Sequence, residues 1–164
     1  MRRARQEQPE SSAQGGRDDV WGRLWKLPIP NAEKFFLWQA CHDIVPTKEC
    51  LYKRKVTTDA LCPICALEEE ASFHILWSCP SARDVWCGSI KKFHKSSPNG
   101  PTFRGVVEEM FRMCDEDELR LFVSLPRRVW FRRNEVVHGG PFTHPTVLVQ
   151  QATHAILEFS AATA

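Results

Sequence analysis

The stretch CPICALEEEASFHILWSC, residues 62–79, places three cysteines and one histidine within eighteen residues. Cys62 and Cys65 enclose Pro63-Ile64, a gap that lets the backbone wrap until both thiolates face one point. Tetrahedral zinc takes four such soft or borderline ligands, and structural sites usually draw them in pairs from short turns. The second pair, His74 and Cys79, has four residues between its members. On a continuous α-helix, five positions turn Cys79 about 140° away from His74, and the two could not meet one ion. Cys79 precedes Pro80, however, and proline drives the residue before it out of the helical region. The expectation is a short helix over residues 71–78 presenting His74, with Cys79 curling back to the metal past its end.

Four protein ligands leave no open coordination position, so a Zn2+ ion held by Cys62, Cys65, His74 and Cys79 is expected to be structural. Cys87 is the runner-up ligand, and Cys41, Cys50 and Cys114 are expected to be ordinary thiols. The competing readings are a redox CxxC, which needs a βαβ context that the chain does not display, and buried cysteines beside a core histidine. Glu70 lies four residues before His74 and is a candidate to accept the second imidazole N–H and fix its tautomer. The alternative is that Glu68-Glu69-Glu70 is a solvated acidic face.

Outward from this stretch, the 164 residues are 43% hydrophobic, enough for a real core, and carry a net charge of only +2. That charge does not announce a nucleic-acid binder, so such a claim rests on where the cations sit. The arginine-rich leader MRRARQEQPESSAQGGRDD has no apolar h-region, and no run of about 18 apolar residues exists to span a membrane. A reduced intracellular setting, nucleus or cytoplasm, is therefore expected, with no membrane partner and no small-molecule substrate.

Helical periodicity and breakers place the elements. Residues 1–18 read as a disordered leader, 19–95 as a helical zinc-binding domain, 96–101 as a loop, and 102–164 as C-terminal helices. Asn31 is an N-cap candidate for a helix to about Asp43, and Pro46-Thr47 restarts the chain into a short helix to about Arg54. Ser81 is a cap candidate for a helix over 81–94. Further helices are expected over 103–114, over 116–138 with a bend or break at Pro126, and from Pro145 onward. No sustained strand alternation is present. The class is mainly α.

The segments WKLPIPNAEKFFLWQA, VPTKECLYKR, LCPIC and EEASFHILWSCPSARDVW, in that order and spacing, resemble the reverse transcriptase zinc-binding domain of plant non-LTR (LINE-type) retrotransposons. The downstream VWFRRNEVVHGG resembles the Trp-x-x-Arg-Asn helix that such elements carry after the module. The resemblance implies the same four ligands, and a place between a polymerase and an RNase H domain. One departure is Ala71, where the family often has Ser or Thr, which shifts the expected helix cap to Ser72.

No carboxylate set suits the two-metal chemistry of a polymerase or RNase H, and no GxSxG motif supports a Ser/His/Asp reading, so catalysis is not expected of this chain. RNA or DNA binding is the first functional reading. Its candidates are Lys53, Arg54 and Lys55 beside Tyr52, Lys91 and Lys92 beside Phe93, and Arg127, Arg128, Arg132 and Arg133 around Trp130. Cations meet phosphates while rings stack on bases. The other readings are a zinc-stabilised module that docks a protein partner, and a retroelement fragment without a selected role. The cations would then lie on solvated helix faces, with Trp38, Trp77 and Trp86 in the core.

Overall fold

Val20, Leu24 and Leu27 recur at helical spacing and lie buried, and the segment around them forms helix α1, Arg17–Lys26. The computed structural model describes residues 17–98 and 100–164. The expected leader lies outside the described residues, apart from Arg17 and Asp18, which begin α1. Pro28 and Pro30 cannot continue a helical ladder, and α2 starts afresh at Asn31 and runs to Cys41. Asn31 is its first helical residue and not its cap: Pro30 holds that position, and its carbonyl accepts the Glu33 N–H at 3.2 Å. Thr47 does cap α3, Lys48–Lys53, its hydroxyl accepting the Cys50 N–H at 3.3 Å.

Beyond residues 62–79, α4 spans Pro80–Cys87. The helix expected over 81–94 is split there. Ile90 turns extended (φ −127°) and lies buried in the core before Lys91–Lys95 forms a 3-10 turn. Ser81 does not cap α4, which opens with Pro80 at its first position. Helix α5, Phe103–Met113, is capped by Thr102, and α6, Glu116–Ser124, by a reciprocal box between Asp115 and Glu118. The expected break at Pro126 falls after Leu125 alone, and α7 runs from Pro126 to Val137. Gly139, at φ +82°, supplies the left-handed residue that ends it. Helix α8, Pro145–Thr163, closes the chain.

The buried apolar residues from Val20 to Ala152, Ala60 apart, form one cluster, with α2 packed against α5, α6 and α7, and α4 against α8. Its aromatic centre is Trp86, with Trp77 at 5.4 Å and Phe122 at 5.3 Å between ring centroids. The Trp86 indole N–H donates to the Leu76 carbonyl at 2.8 Å, so this fully buried ring leaves no polar group unpaired. Trp38 is only half-buried and stacks on His42 at 4.3 Å. Among the described residues the fold is helical, with one isolated antiparallel bridge, Leu61–Glu69. No described helix is long and apolar enough to cross a membrane.

Candidate metal centre

The bridge residues frame a narrow ribbon that carries the first cysteine pair. The Cys62 N–H donates to the Glu68 carbonyl and the Glu70 N–H to the Ala60 carbonyl, both at 2.8 Å. Ala66, at φ 55°, reverses the chain, and its N–H closes on the Cys62 carbonyl at 2.9 Å. A non-glycine residue in that region carries strain, which the ribbon's hydrogen bonds offset. Cys62 and Cys65 thus project from one tight turn.

The second pair is built by a device that the spacing alone does not reveal. His74–Ser78 forms one turn of π-helix, and the Cys79 N–H reaches back five residues to the His74 carbonyl at 2.7 Å. A π-turn accommodates one more residue per turn than an α-helix, so the fifth residue returns beneath the first instead of lying about 140° away. Pro80 then holds Cys79 extended, at φ −55° and ψ 136°. The helix ends where Pro80 places its end, but the turn before it is wide instead of α-helical. Ser72 does not cap it: its hydroxyl is buried without a partner.

One ligand atom from each of Cys62, Cys65, His74 and Cys79 lies within 4.8 Å of all the others, and the Cys65 sulfur is 3.3 Å from His74 Nε2. Zinc bonds of about 2.0–2.3 Å in a tetrahedron require donor separations of about 3.5–3.8 Å, so the cluster is the right size for such an ion. The donor chemistry fits too: three sulfurs and an imidazole are a zinc set and leave no position for a substrate. Cys62, His74 and Cys79 are buried, and Cys65 is half-buried. The neighbouring Cys62 thiol, aided by the Ser81 hydroxyl 3.2 Å away, draws the Cys79 thiol below its ordinary value, while the same neighbour and burial push the Cys62 thiol up.

Cys87 sits exposed at the end of α4, outside the cluster. Burial pushes the Cys41 thiol up to about 12 and the Cys114 thiol up to about 11, which keeps both protonated.

Glu70 does not face His74. The chain is not helical at residues 70 and 71, so the four-residue helical relation fails. The carboxylate nearest the imidazole is Glu68, with Oε2 at 3.2 Å from Nδ1, and the Ser78 hydroxyl stands at 3.5 Å. Nε2 is thereby left for the metal. The ribbon register that pairs Glu68 with Cys62 produces this contact, and the sequence carried no signal of it. Glu70 is fully buried and accepts from Arg133 at 2.6 and 2.8 Å and from the Lys48 N–H at 2.8 Å.

The candidate nucleic-acid residues separate. Arg54, Lys55 and Lys91 are exposed and make no ion pair among the described residues; Lys53 pairs with Glu49 at 3.1 Å on the same face. Lys92 is engaged by Glu118 at 2.8 Å and the Met113 carbonyl at 2.9 Å. Arg128 bonds Glu33 at 2.9 Å, while Arg127 lies 3.9 Å from the same carboxylate and over the Phe131 ring. Arg132 and Arg133 are 3% and 7% exposed, and this removes them from any phosphate-facing surface. Their helix packs this face against α2 and the π-turn, so the charges point into protein.

The chain matches the family described as zinc-binding in reverse transcriptase over residues 5–86. It belongs to that family. Zinc is the metal of this family, and the four-donor cluster lies inside the matched span. A provisionally named ribonuclease H protein of Arabidopsis thaliana is 32% identical over 63 residues, 38% of this chain. The chain matches 10% of that protein's length. No solved structure matches this chain.

Proposed function

We propose that this chain is a structural zinc module of retroelement origin that contributes contacts to nucleic-acid backbones and performs no polymerase or RNase H chemistry of its own. The observation that carries this reading is the exposed run Tyr52-Lys53-Arg54-Lys55, at the end of α3 and before the metal ribbon. Three consecutive cations beside a half-exposed phenol suit phosphates and one stacked base. The Arabidopsis relative carries a ribonuclease H name, and a nucleic-acid role for this chain is consistent with it. The closed coordination set supports a scaffold and not a Lewis-acid catalyst.

The test is anisotropy with labelled single- and double-stranded RNA and DNA across a salt series. The parent should bind with little sequence preference, and affinity should fall as salt rises. A Lys53→Gln/Arg54→Gln/Lys55→Gln variant should flatten the salt slope on single strands by about 0.7 for each phosphate it no longer neutralises. A parent that binds nothing at low salt would sink the reading.

One observation favours a second reading, docking of a protein. Trp25, Phe35, Ile44 and Phe131 are each about half exposed, and three of them line a groove of about 350 Å³ between α2 and α7. A partner seated there by apolar contact should bind with little dependence on salt.

A further inference from the structure

The Trp-x-x-Arg-Asn segment of α7, Trp130 to Asn134, has no part in the coordination set, yet its arginines engage the two segments that carry the ligands. The Arg133 guanidinium makes a two-pronged contact with Glu70 at 2.6 and 2.8 Å. Trp130 covers it at 4.6 Å from ring centroid to guanidinium carbon, and the Asn134 side-chain carbonyl accepts a third N–H at 3.0 Å. Glu70 in turn ends the ribbon that bears Cys62 and Cys65, through its own N–H to Ala60, and its carboxylate accepts the Lys48 N–H at the start of α3. The neighbouring arginine reaches the other half of the site. Arg132 donates to the Ser81 carbonyl at 3.0 Å, and the Ser81 hydroxyl stands 3.2 Å from the Cys79 sulfur. Arg132 also donates to the Thr143 carbonyl at 3.2 Å and lies 4.2 Å from the Phe142 ring centroid, so its head is fixed from behind.

We infer that Arg132 and Arg133 are a clamp for the zinc site: one rigid helix holds the Cys62/Cys65 ribbon through Arg133 and the Cys79 turn through Arg132, fixing the separation of the two ligand pairs. Adjacent residues of one helix cannot move apart, so the two grips are tied to a common frame. The charge follows the same logic. Three thiolates, a neutral imidazole and a dication carry one net negative charge, and a buried charge needs a partner. Arg132, buried and bonded to the Ser81 carbonyl two residues past Cys79, is the cation placed beside such a charge. Arginine and not lysine is required at 133, because only a planar fork reaches both oxygens of Glu70. These are positioning residues, since neither is a ligand.

The inference rests on the four-donor cluster being the zinc site, which Cys79→Ser tests separately: a variant that keeps its zinc would overturn the ligand set itself. With the ligand set intact, zinc affinity of the full chain is measured by competition with a chromophoric chelator, and cobalt substitution reads the geometry. Arg132→Gln and Arg133→Gln should each weaken zinc binding about 10–100-fold, the range for partners that orient metal ligands. They should also shift the visible cobalt bands. Arg128→Gln, on the same helix but bonded to Glu33, should destabilise the fold while leaving affinity within about twofold and the cobalt spectrum unchanged. If Arg133→Gln does not fold, Arg133→Lys replaces it, keeping the charge while losing the fork. Parental affinity and spectrum in folded arginine-132 and arginine-133 variants would overturn the clamp. So would an Arg128→Gln variant that loses zinc as readily as they do.

Discussion

Two basic runs of similar composition meet opposite fates in this molecule. Lys53-Arg54-Lys55 ends a six-residue helix that buries none of its side chains, and it stays in solvent. Arg127-Arg128 and Arg132-Arg133 lie on a helix that packs Val129 and Trp130 into the core; Arg132 and Arg133 are drawn in with them, while Arg127 and Arg128 stay part-exposed. Charge in a sequence is therefore no measure of charge on a surface. What decides is whether the helix has a second face to bury, and whether a carboxylate waits there.

Metal removal should disturb the buried run far more than the exposed one. Zinc binding to small finger folds contributes about 10–16 kcal/mol at neutral pH, comparable to a domain's whole margin of about 5–15 kcal/mol. Exhaustive chelation should abolish amide protection over residues 46–90 and also lower it in α7, because Glu70 and Ser81 lose their fixed positions. Hydrogen exchange before and after chelation checks this. Protection that is unchanged in α7 would mean that the arginine run is held independently of the metal.

A smaller effect separates the two runs by stability. Arg133→Gln leaves Glu70 buried with its main partner gone, and breaking a buried pair in this way costs about 3–5 kcal/mol. Lys53→Gln removes an exposed pair with Glu49 and should leave the denaturant midpoint unmoved. Urea melts of the zinc-loaded variants decide it; similar midpoints would erase the distinction.

The weakest effect is electrostatic and local to the exposed region. The hydrogen bond from the Lys48 ammonium to Asp59, with help from the Leu61 N–H, holds the Asp59 carboxyl below the usual carboxylate range. A depressed carboxyl contributes stability that is present above its unfolded value of about 3.9 and lost as pH falls through the lower folded value. Carboxyl NMR titration should find Asp59 below about 3.9 in the parent and returning toward it in Lys48→Met. An Asp59 that titrates identically in both would show that this pair exerts no pull in solution.

The four donors are legible in the sequence alone, because ligand chemistry and the CxxC spacing are local properties. So are the helical class and most stops: the prolines at 80 and 126 and the glycine at 139 act through sterics within one or two residues. Thr47 capping α3 is equally a short-range matter. Asn31 and Ser81 fail as caps because the prolines directly before them start or hold the turn first. It takes the folded chain to show that the His74 turn is a π-turn, and that Glu68 instead of Glu70 meets the imidazole. The same holds for Arg133, a buried partner and not a phosphate ligand. Glu70 and Arg133 are 63 residues apart, and no periodicity within either segment encodes the other. A buried charge is specified by its partner, and the partner is known only once the chain has folded over it.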